Sequence, residues 1–216
     1  AWAAVDPVFW EPISFFRLLS GPLNQNSLLI IFVLFLGSLL ISAFRQSVFL
    51  TCISWITGWL CLGYANNFGK IDHSYNLIAI MLLADFVCAL LIKIRPSLAL
   101  EWLNWLFRFG QFILCVMYFS SGLRKLTTSG MEWFISDNMR ILLLNSGKTE
   151  GAWLAYLQPL PNLLAFGALA LEILAPLALL TPGLGLIFVS GWLLMHFSIY
   201  LFMGPSFLTH MIVFVF

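Results

Sequence analysis

The sequence predicts an all-α fold, a polytopic transmembrane helix bundle. The first observation is composition: 62% of the 216 residues are hydrophobic and 9% are charged, whereas a soluble domain carries about 25% charged residues. The second is a mean hydropathy of +0.99. The third is that the apolar residues form blocks of about 18–22 residues, the length that a membrane helix needs. A backbone in lipid must satisfy its own hydrogen bonds, and blocks of this length do so as helices.

The apolar blocks predict about six to seven membrane helices. The six complete spans are 27–43, 47–65, 73–93, 100–124, 162–180 and 184–203. Residues 207–216 begin a further apolar segment. Residues 7–20 are aromatic and mildly amphipathic, so they either lie at the membrane interface or begin a first helix. The polar stretch 126–160 contains an amphipathic piece, residues 131–144, which we expect to be an interfacial helix.

We interpret residues 1–216 as a single domain of a longer chain, because the sequence begins without methionine and ends inside an apolar run.

Composition and spacing also exclude some kinds of site. A net charge of +1 gives no electrostatic reason to bind nucleic acid. The four cysteines lie inside apolar blocks without a CxxC pair, which is typical of small buried side chains. The histidines form no HxxH or HxxxH pair and have no carboxylate nearby, so we predict no metal site.

The positive charges of the short loops predict the orientation in the membrane. Arg45, Lys93 and Arg95 lie in loops that open on one side, which the positive-inside rule makes cytoplasmic. The stretch 126–160 and the end of the sixth span then face the periplasm or a lumen. We therefore expect a multi-pass protein of an inner, plasma or ER-type membrane, in contact with the lipid bilayer.

The fourth span carries polar residues along one face. Spacings of three and four residues place six side chains on a face that should point into the bundle: Arg108, Gln111, Cys115, Tyr118, Gly122 and Lys125. Ionisable groups inside membrane helices are costly and are candidates for function. Lys125 ends this stripe at the non-cytoplasmic side, where it is either a functional residue or a lysine that snorkels to the headgroups.

All three histidines fall toward the same membrane face as Lys125. His73 opens the third span, His196 lies in the non-cytoplasmic half of the sixth, and His210 follows that span. A single histidine is ordinarily a hydrogen-bonded structural residue. Their convergence with a lysine is therefore what indicates a site.

Two acidic residues, Asp85 and Glu172, lie inside apolar blocks. A buried carboxylate needs a cationic partner or must take up a proton. Arg108, at mid-depth in the fourth span, is the candidate partner for either acid. We predict a structural ion pair between Arg108 and Glu172.

Three motifs resemble those of a known family. Residues 118–126, YFSSGLRKL, resemble the YFxxGxxKL segment of vitamin K-dependent gamma-carboxylase and its relatives, the HTTM (horizontally transferred transmembrane) domain proteins. A tryptophan and an amphipathic segment follow in that family, as they do at 133–144 here. Residues 73–75, HSY, resemble the HSY that starts a transmembrane helix in the family. Residues 195–197 and 203–205, MHF and MGP, resemble its later histidine helix and the element after it.

This resemblance covers residues 60–216 and implies a single HTTM-like domain with a particular chemistry. In the carboxylase, the lysine that matches Lys125 deprotonates reduced vitamin K, and the histidine that matches His73 belongs to the same active site. Oxygen then adds, and the strong base so formed removes a gamma proton from a substrate glutamate, whose carbanion captures carbon dioxide. The resemblance implies catalytic roles for Lys125, His73 and His196, a reduced quinone as cofactor, and a site on the lumenal face.

The residues themselves are compatible with such a base. A lysine accepts a proton only when it is neutral, and burial in an apolar wall beside Arg124 disfavours its charged form. A flat quinone ring would lie against Tyr118 and neighbouring aromatic side chains while a histidine bonds its oxygen. We assign substrate binding to Tyr118, Arg124 and His210.

Two other functions stay open at the level of the sequence. The 216 residues contain no large extramembrane region, which favours a non-catalytic membrane subunit or maturation factor packed in a larger membrane complex. A transporter or channel is less consistent with the sequence, because no repeat with paired broken helices is evident.

Overall fold

The computed structural model describes residues 10–45, 47–68, 73–146 and 148–204. The regular structure in these residues is all helical, without a strand, as the sequence predicts. The α-helices are α1 (Gln25–Phe44), α2 (Val48–Ala65), α3 (His73–Ile94), α4 (Ala99–Ser129), α5 (Glu132–Ile135), α6 (Asn138–Asn145), α7 (Thr149–Ala155), α8 (Leu160–Ile173) and α9 (Pro182–Met203). Short 3₁₀ turns cover Ser14–Leu18, Pro96–Leu98 and Ala175–Leu179.

Four of the described helices are long and apolar enough to cross a membrane: α1, α3, α4 and α9. Helix α2 is apolar but shorter, and α7 and α8 form a pair bent by 101° that would make a fifth span if joined. The described residues therefore contain fewer long spans than the six to seven predicted. The last predicted apolar segment, 207–216, lies outside the described residues.

The chain divides into two compact units, Ala1–Arg108 and Phe109–Phe216, with the boundary inside α4. In the first unit α1 packs against α2, and α2 packs against α3. The Ser54 hydroxyl donates to the Ser38 hydroxyl across the first of these contacts at 2.9 Å. Each unit has internal packing of its own, and a single domain over the whole chain stays a prediction.

The N-terminal segment folds against the end of α2 and forms no membrane helix in its described part. Only Ser14–Leu18 is helical, as a 3₁₀ turn. The Ile13 N–H donates to the side-chain oxygen of Asn67 at 2.7 Å, which anchors the segment beyond α2. Phe16 is buried there. Residues 7–9 of the predicted interfacial segment lie outside the described residues.

The second unit contains the C-terminal part of α4 and helices α5 to α9. The predicted span 162–180 is broken, because α8 ends at Ile173 and a 3₁₀ turn follows at Ala175–Leu179. Pro176 accounts for the break, since proline lacks an N–H and its ring clashes with the carbonyl four residues earlier. The amphipathic piece 131–144 forms two short helices, α5 and α6.

The packing of the first unit can be tested by a substitution at Gly58 in α2. A Cβ there would lie 2.6 Å from Leu82 Cδ1 and 2.8 Å from Phe35 Cε2. We expect Gly58→Leu to lower the free energy of unfolding in mixed micelles by about 1–3 kcal/mol through overpacking. Gly37→Leu in α1 is the matched control, since nothing lies within 4 Å of an added Cβ. Equal effects of the two substitutions would contradict the described packing of α2.

Candidate functional site

One face of α4 carries the polar residues of the candidate site. Three members of the predicted stripe are buried: Cys115, Tyr118 and Gly122. Lys125 is half-buried next to them, so this part of the stripe points inward as predicted. Arg108 and Gln111, at the other end of the stripe, are exposed. Helix α4 continues to Ser129, so Lys125 lies one turn inside the helix and not at its end.

Lys125 forms an ion pair with Glu172 of α8. Its Nζ lies 2.6 Å from each of the two carboxylate oxygens. The two side chains are 24% and 7% exposed, so the pair is largely shielded from solvent. The Ser121 hydroxyl donates to Glu172 Oε1 at 3.3 Å, and the Lys125 ammonium lies 5.0 Å from the centre of the Trp133 ring. The 2.6 Å hydrogen bonds between Lys125 and Glu172 are short, as is typical of bonds between charged partners.

The cation that neutralises Glu172 is therefore Lys125, where the sequence analysis predicted Arg108. The physical reason is the length of α4. A helix that ended at residue 124 would leave Lys125 at the membrane surface, whereas a helix that continues to Ser129 keeps it within reach of α8. Arg108 is exposed and belongs to the first unit.

Glu172 lies at the end of a broken helix. It is the residue before Ile173, the last residue of α8. The final carbonyls of a helix have no intrahelical partner and carry a partial negative charge, which stabilises a nearby cation. The Lys125 ammonium is thus held by a carboxylate that itself sits at the negative end of α8.

Gly122 allows α4 and α8 to approach each other at this pair. A Cβ at residue 122 would lie 2.9 Å from Glu172 Cβ and 3.0 Å from the backbone nitrogen of Ile173. Carbon atoms in contact are ordinarily about 3.5–4.0 Å apart. A side chain at this position would push the helices apart, so the glycine of the YFSSGLRKL motif has a packing role.

A second polar pair lies about two turns earlier on the same face of α4. The Tyr118 hydroxyl and His196 Nε2 are 2.6 Å apart, and both residues are buried. The Tyr118 ring stacks on Trp192 with ring centroids 4.3 Å apart and planes 5° from parallel. The Trp192 indole N–H donates to the Leu171 carbonyl at 3.3 Å, in the last turn of α8. This pair is therefore connected through Trp192 to the same helix end that carries Glu172.

The structure places the remaining predicted residues as follows. Arg124 is exposed on α4, beside Lys125. His73 begins α3 in the first unit, and its side chain is not among those described. His210 lies outside the described residues. In the part of the chain that is described, no group of three or more His, Cys, Asp or Glu side chains is arranged to hold a metal ion.

Two contributors to the site were missed by the sequence analysis, Ser121 and Trp192. Each precedes a predicted site residue on the same helix by four positions, Ser121 before Lys125 and Trp192 before His196. Residues four apart are neighbours on a helix. That spacing was the signal from which both could have been found.

Compared with known proteins, the chain matches no family model, no curated protein and no solved structure. The resemblance to the carboxylase-like family rests on the three sequence motifs. The geometry of the two polar pairs is independent of that resemblance.

The close approach at Gly122 can be tested by a methyl group. We expect Gly122→Ala to lower the free energy of unfolding by about 1–3 kcal/mol, because the new Cβ meets backbone and Cβ atoms that cannot rotate away. Gly167→Ala in α8 is the matched control, since nothing lies within 4 Å of its added Cβ. There we expect a gain of about 0.5–1 kcal/mol from the greater helix propensity of alanine. A gain at both positions in equilibrium unfolding would rule out the described contact.

The ion pair makes a prediction about single and double substitutions. Removing one partner of a buried pair leaves an uncompensated charge and costs about 3–5 kcal/mol. We expect Lys125→Met to lower the free energy of unfolding toward the lower end of that range, because Lys125 retains 24% exposure and some solvent screening. The double variant Lys125→Met with Glu172→Leu should recover most of the loss. A double variant no more stable than Lys125→Met would show that the two side chains do not act as a pair.

Proposed function

We propose that the chain is a multi-pass membrane protein resembling the membrane domain of vitamin K-dependent gamma-carboxylase, with Lys125 as general base on a quinol-type substrate. The observation that carries the proposal is the Lys125–Glu172 pair. It combines an amine at a largely shielded position with a carboxylate 2.6 Å away that can take a proton from it. A snorkelling surface lysine has no such partner, and for that reason the pair favours a chemical role.

The exposed surface of α1 supports a location in the bilayer. Ile30, Val33 and Leu40 are 60%, 58% and 64% exposed. Proteins in water rarely leave contiguous apolar surface of this kind uncovered. Lipid acyl chains cover it in the proposed setting.

The direction of α4 supports a site on the non-cytoplasmic face. Lys93 and Arg95 lie just before α4 begins, and short loops rich in such charges are cytoplasmic. The 31 residues of α4 are about 46 Å long, which exceeds the hydrocarbon core of a bilayer. Lys125 lies near the far end of the helix, so the proposed site opens toward the periplasm or lumen.

The residues around Lys125 suit a flat, apolar molecule with an acidic hydroxyl. The Trp133 ring beside the ammonium offers an aromatic surface on which a quinol ring can lie. In the proposed reaction Lys125 takes the proton of the quinol hydroxyl. In this proposal His196 is a further catalytic residue, and Tyr118 and Arg124 have binding roles. The catalytic role of His73 and the binding role of His210 stay predictions from the sequence.

A non-catalytic role is the second candidate, and the ion pair also supports it. A charged pair closed over Gly122 joins α4 to α8, and such a contact orients two helices whether or not chemistry follows. In that role the chain is a subunit or maturation factor that packs against partner helices in a larger membrane complex. The two candidates differ in whether the amine of Lys125 must lose a proton.

Lys125→Arg separates the two candidates. Arginine keeps the positive charge and can bond both oxygens of Glu172, but it does not lose its proton. For an enzyme we expect a stable protein whose quinol- and oxygen-dependent epoxide formation falls at least about 100-fold, the usual contribution of general base catalysis. Turnover is measured with reduced vitamin K in lipid nanodiscs, and Lys148→Arg, an exposed lysine, is the control. Undiminished turnover would exclude Lys125 as the base, and co-purification with partner subunits in the absence of any turnover would favour the non-catalytic role.

A further inference from the structure

We infer that Glu172 stores the proton that Lys125 removes from the substrate, so that the working base is the pair and not the lysine alone. This inference rests on the proposed function. Glu172, for which the sequence predicts only a structural ion pair, is then a positioning residue of the site.

Lys125 and Glu172 have the geometry of a charged pair. Lys125 Nζ lies 2.6 Å from both oxygens of Glu172, the geometry of an ammonium between two carboxylate oxygens. An ammonium has three N–H donors and no lone pair. Lys125 in this state cannot accept a proton from any substrate until one of its own protons has left.

Glu172 is the group placed to receive that proton. Its carboxylate is 7% exposed, and the described polar groups that bond it are Lys125 and the Ser121 hydroxyl. A proton that leaves the ammonium therefore has a short route to a carboxylate 2.6 Å away, which is itself largely shielded from solvent.

The transfer balances in protons and charge. Lys125 gives one proton to Glu172, which leaves a neutral amine beside a carboxylic acid. The amine then takes the proton of the quinol hydroxyl, whose O–H bond breaks and leaves the electron pair on oxygen. The products are a quinolate anion, the Lys125 ammonium beside it, and Glu172 carrying one proton more than before.

Burial explains why the transfer from Lys125 to Glu172 precedes the transfer from the quinol to Lys125. A charged pair in an apolar environment is stabilised only while both partners remain charged and close together. When the proton moves to Glu172, the pair becomes neutral and loses its desolvation penalty. The ammonium is restored at the moment when a new anion, the quinolate, appears next to it, so no isolated charge is left buried.

The first arm of the test needs no substrate. Purified protein in nanodiscs is treated at neutral pH with formaldehyde and cyanoborohydride, which methylate neutral amines, and the extent at each lysine is read by mass spectrometry. We expect Lys125 in Glu172→Gln to react at least about tenfold faster than in the unsubstituted protein, because its ammonium loses the carboxylate 2.6 Å away that holds its proton; a tenfold change corresponds to about 1.4 kcal/mol. Glu172→Asp should retain protection, and Glu150→Gln, the same change at an exposed residue, should leave Lys125 unaltered. An unchanged rate in Glu172→Gln overturns the inference.

The second arm follows the proton itself. Reduced vitamin K is added without oxygen, so that a quinolate accumulates, and the infrared difference spectrum is recorded in H₂O and D₂O. We expect the quinolate absorption and a D₂O-sensitive carboxylic acid C=O band to appear together in the unsubstituted protein and in Glu172→Asp. In Glu172→Gln we expect no such band and at least about tenfold less quinolate. A merely structural Glu172 would not produce this band.

The two arms distinguish failure of the inference from failure of the proposed function. Quinolate that forms without a carboxylic acid band overturns the inference and leaves Lys125 as the base. Absence of quinolate in the unsubstituted protein contradicts the proposed function and, with it, the storage of a substrate proton. In that case faster methylation of Lys125 in Glu172→Gln would still show a charged pair, which is the result expected of the non-catalytic candidate.

Discussion

The ion pair between Lys125 and Glu172 is the interaction on which the second unit depends. Both groups lie on predominantly apolar helices, and taking either charge out of water costs several kcal/mol. Their attraction offsets that penalty only because Nζ reaches both carboxylate oxygens at 2.6 Å. This geometry in turn requires that α4 and α8 approach within contact distance at Gly122. The ion pair therefore forms only where the backbone of α4 packs closely against the end of α8.

The end of α8 determines where the ion pair lies. Because Pro176 cannot continue a regular helix, α8 stops at Ile173 and Glu172 lies in its last turn. A helix end leaves carbonyl groups without intrahelical partners, and in an apolar environment these need other donors. The Trp192 indole supplies one such donor to the Leu171 carbonyl. The Trp192 side chain of α9 therefore compensates part of the break, at the same helix end that carries the Glu172 carboxylate.

The Tyr118–His196 pair extends the polar interior along α4. Its hydrogen bond of 2.6 Å is buried, and the stacked Trp192 ring holds the tyrosine in one orientation. Buried polar groups with fixed partners specify one arrangement of helices, because each alternative leaves a donor or acceptor unsatisfied. Two such pairs on one helix face make this part of α4 the organising element of the second unit. The two pairs comprise a lysine and a phenol on α4, a carboxylate on α8 and an imidazole on α9.

The sequence by itself determined the properties that depend on local pattern. Block length and hydropathy predicted the helices. The spacing of Cys115, Tyr118 and Gly122 predicted the buried face of α4, because residues three and four positions apart lie on the same face of a helix. Tertiary structure decided which charges meet. That Glu172 pairs with Lys125, where Arg108 was predicted, depends on where α4 and α8 end and how closely they pack, and residues 47 positions apart carry no local signal of it. The role of Gly122 is of the same kind, since only the partner helix shows what a side chain there would strike.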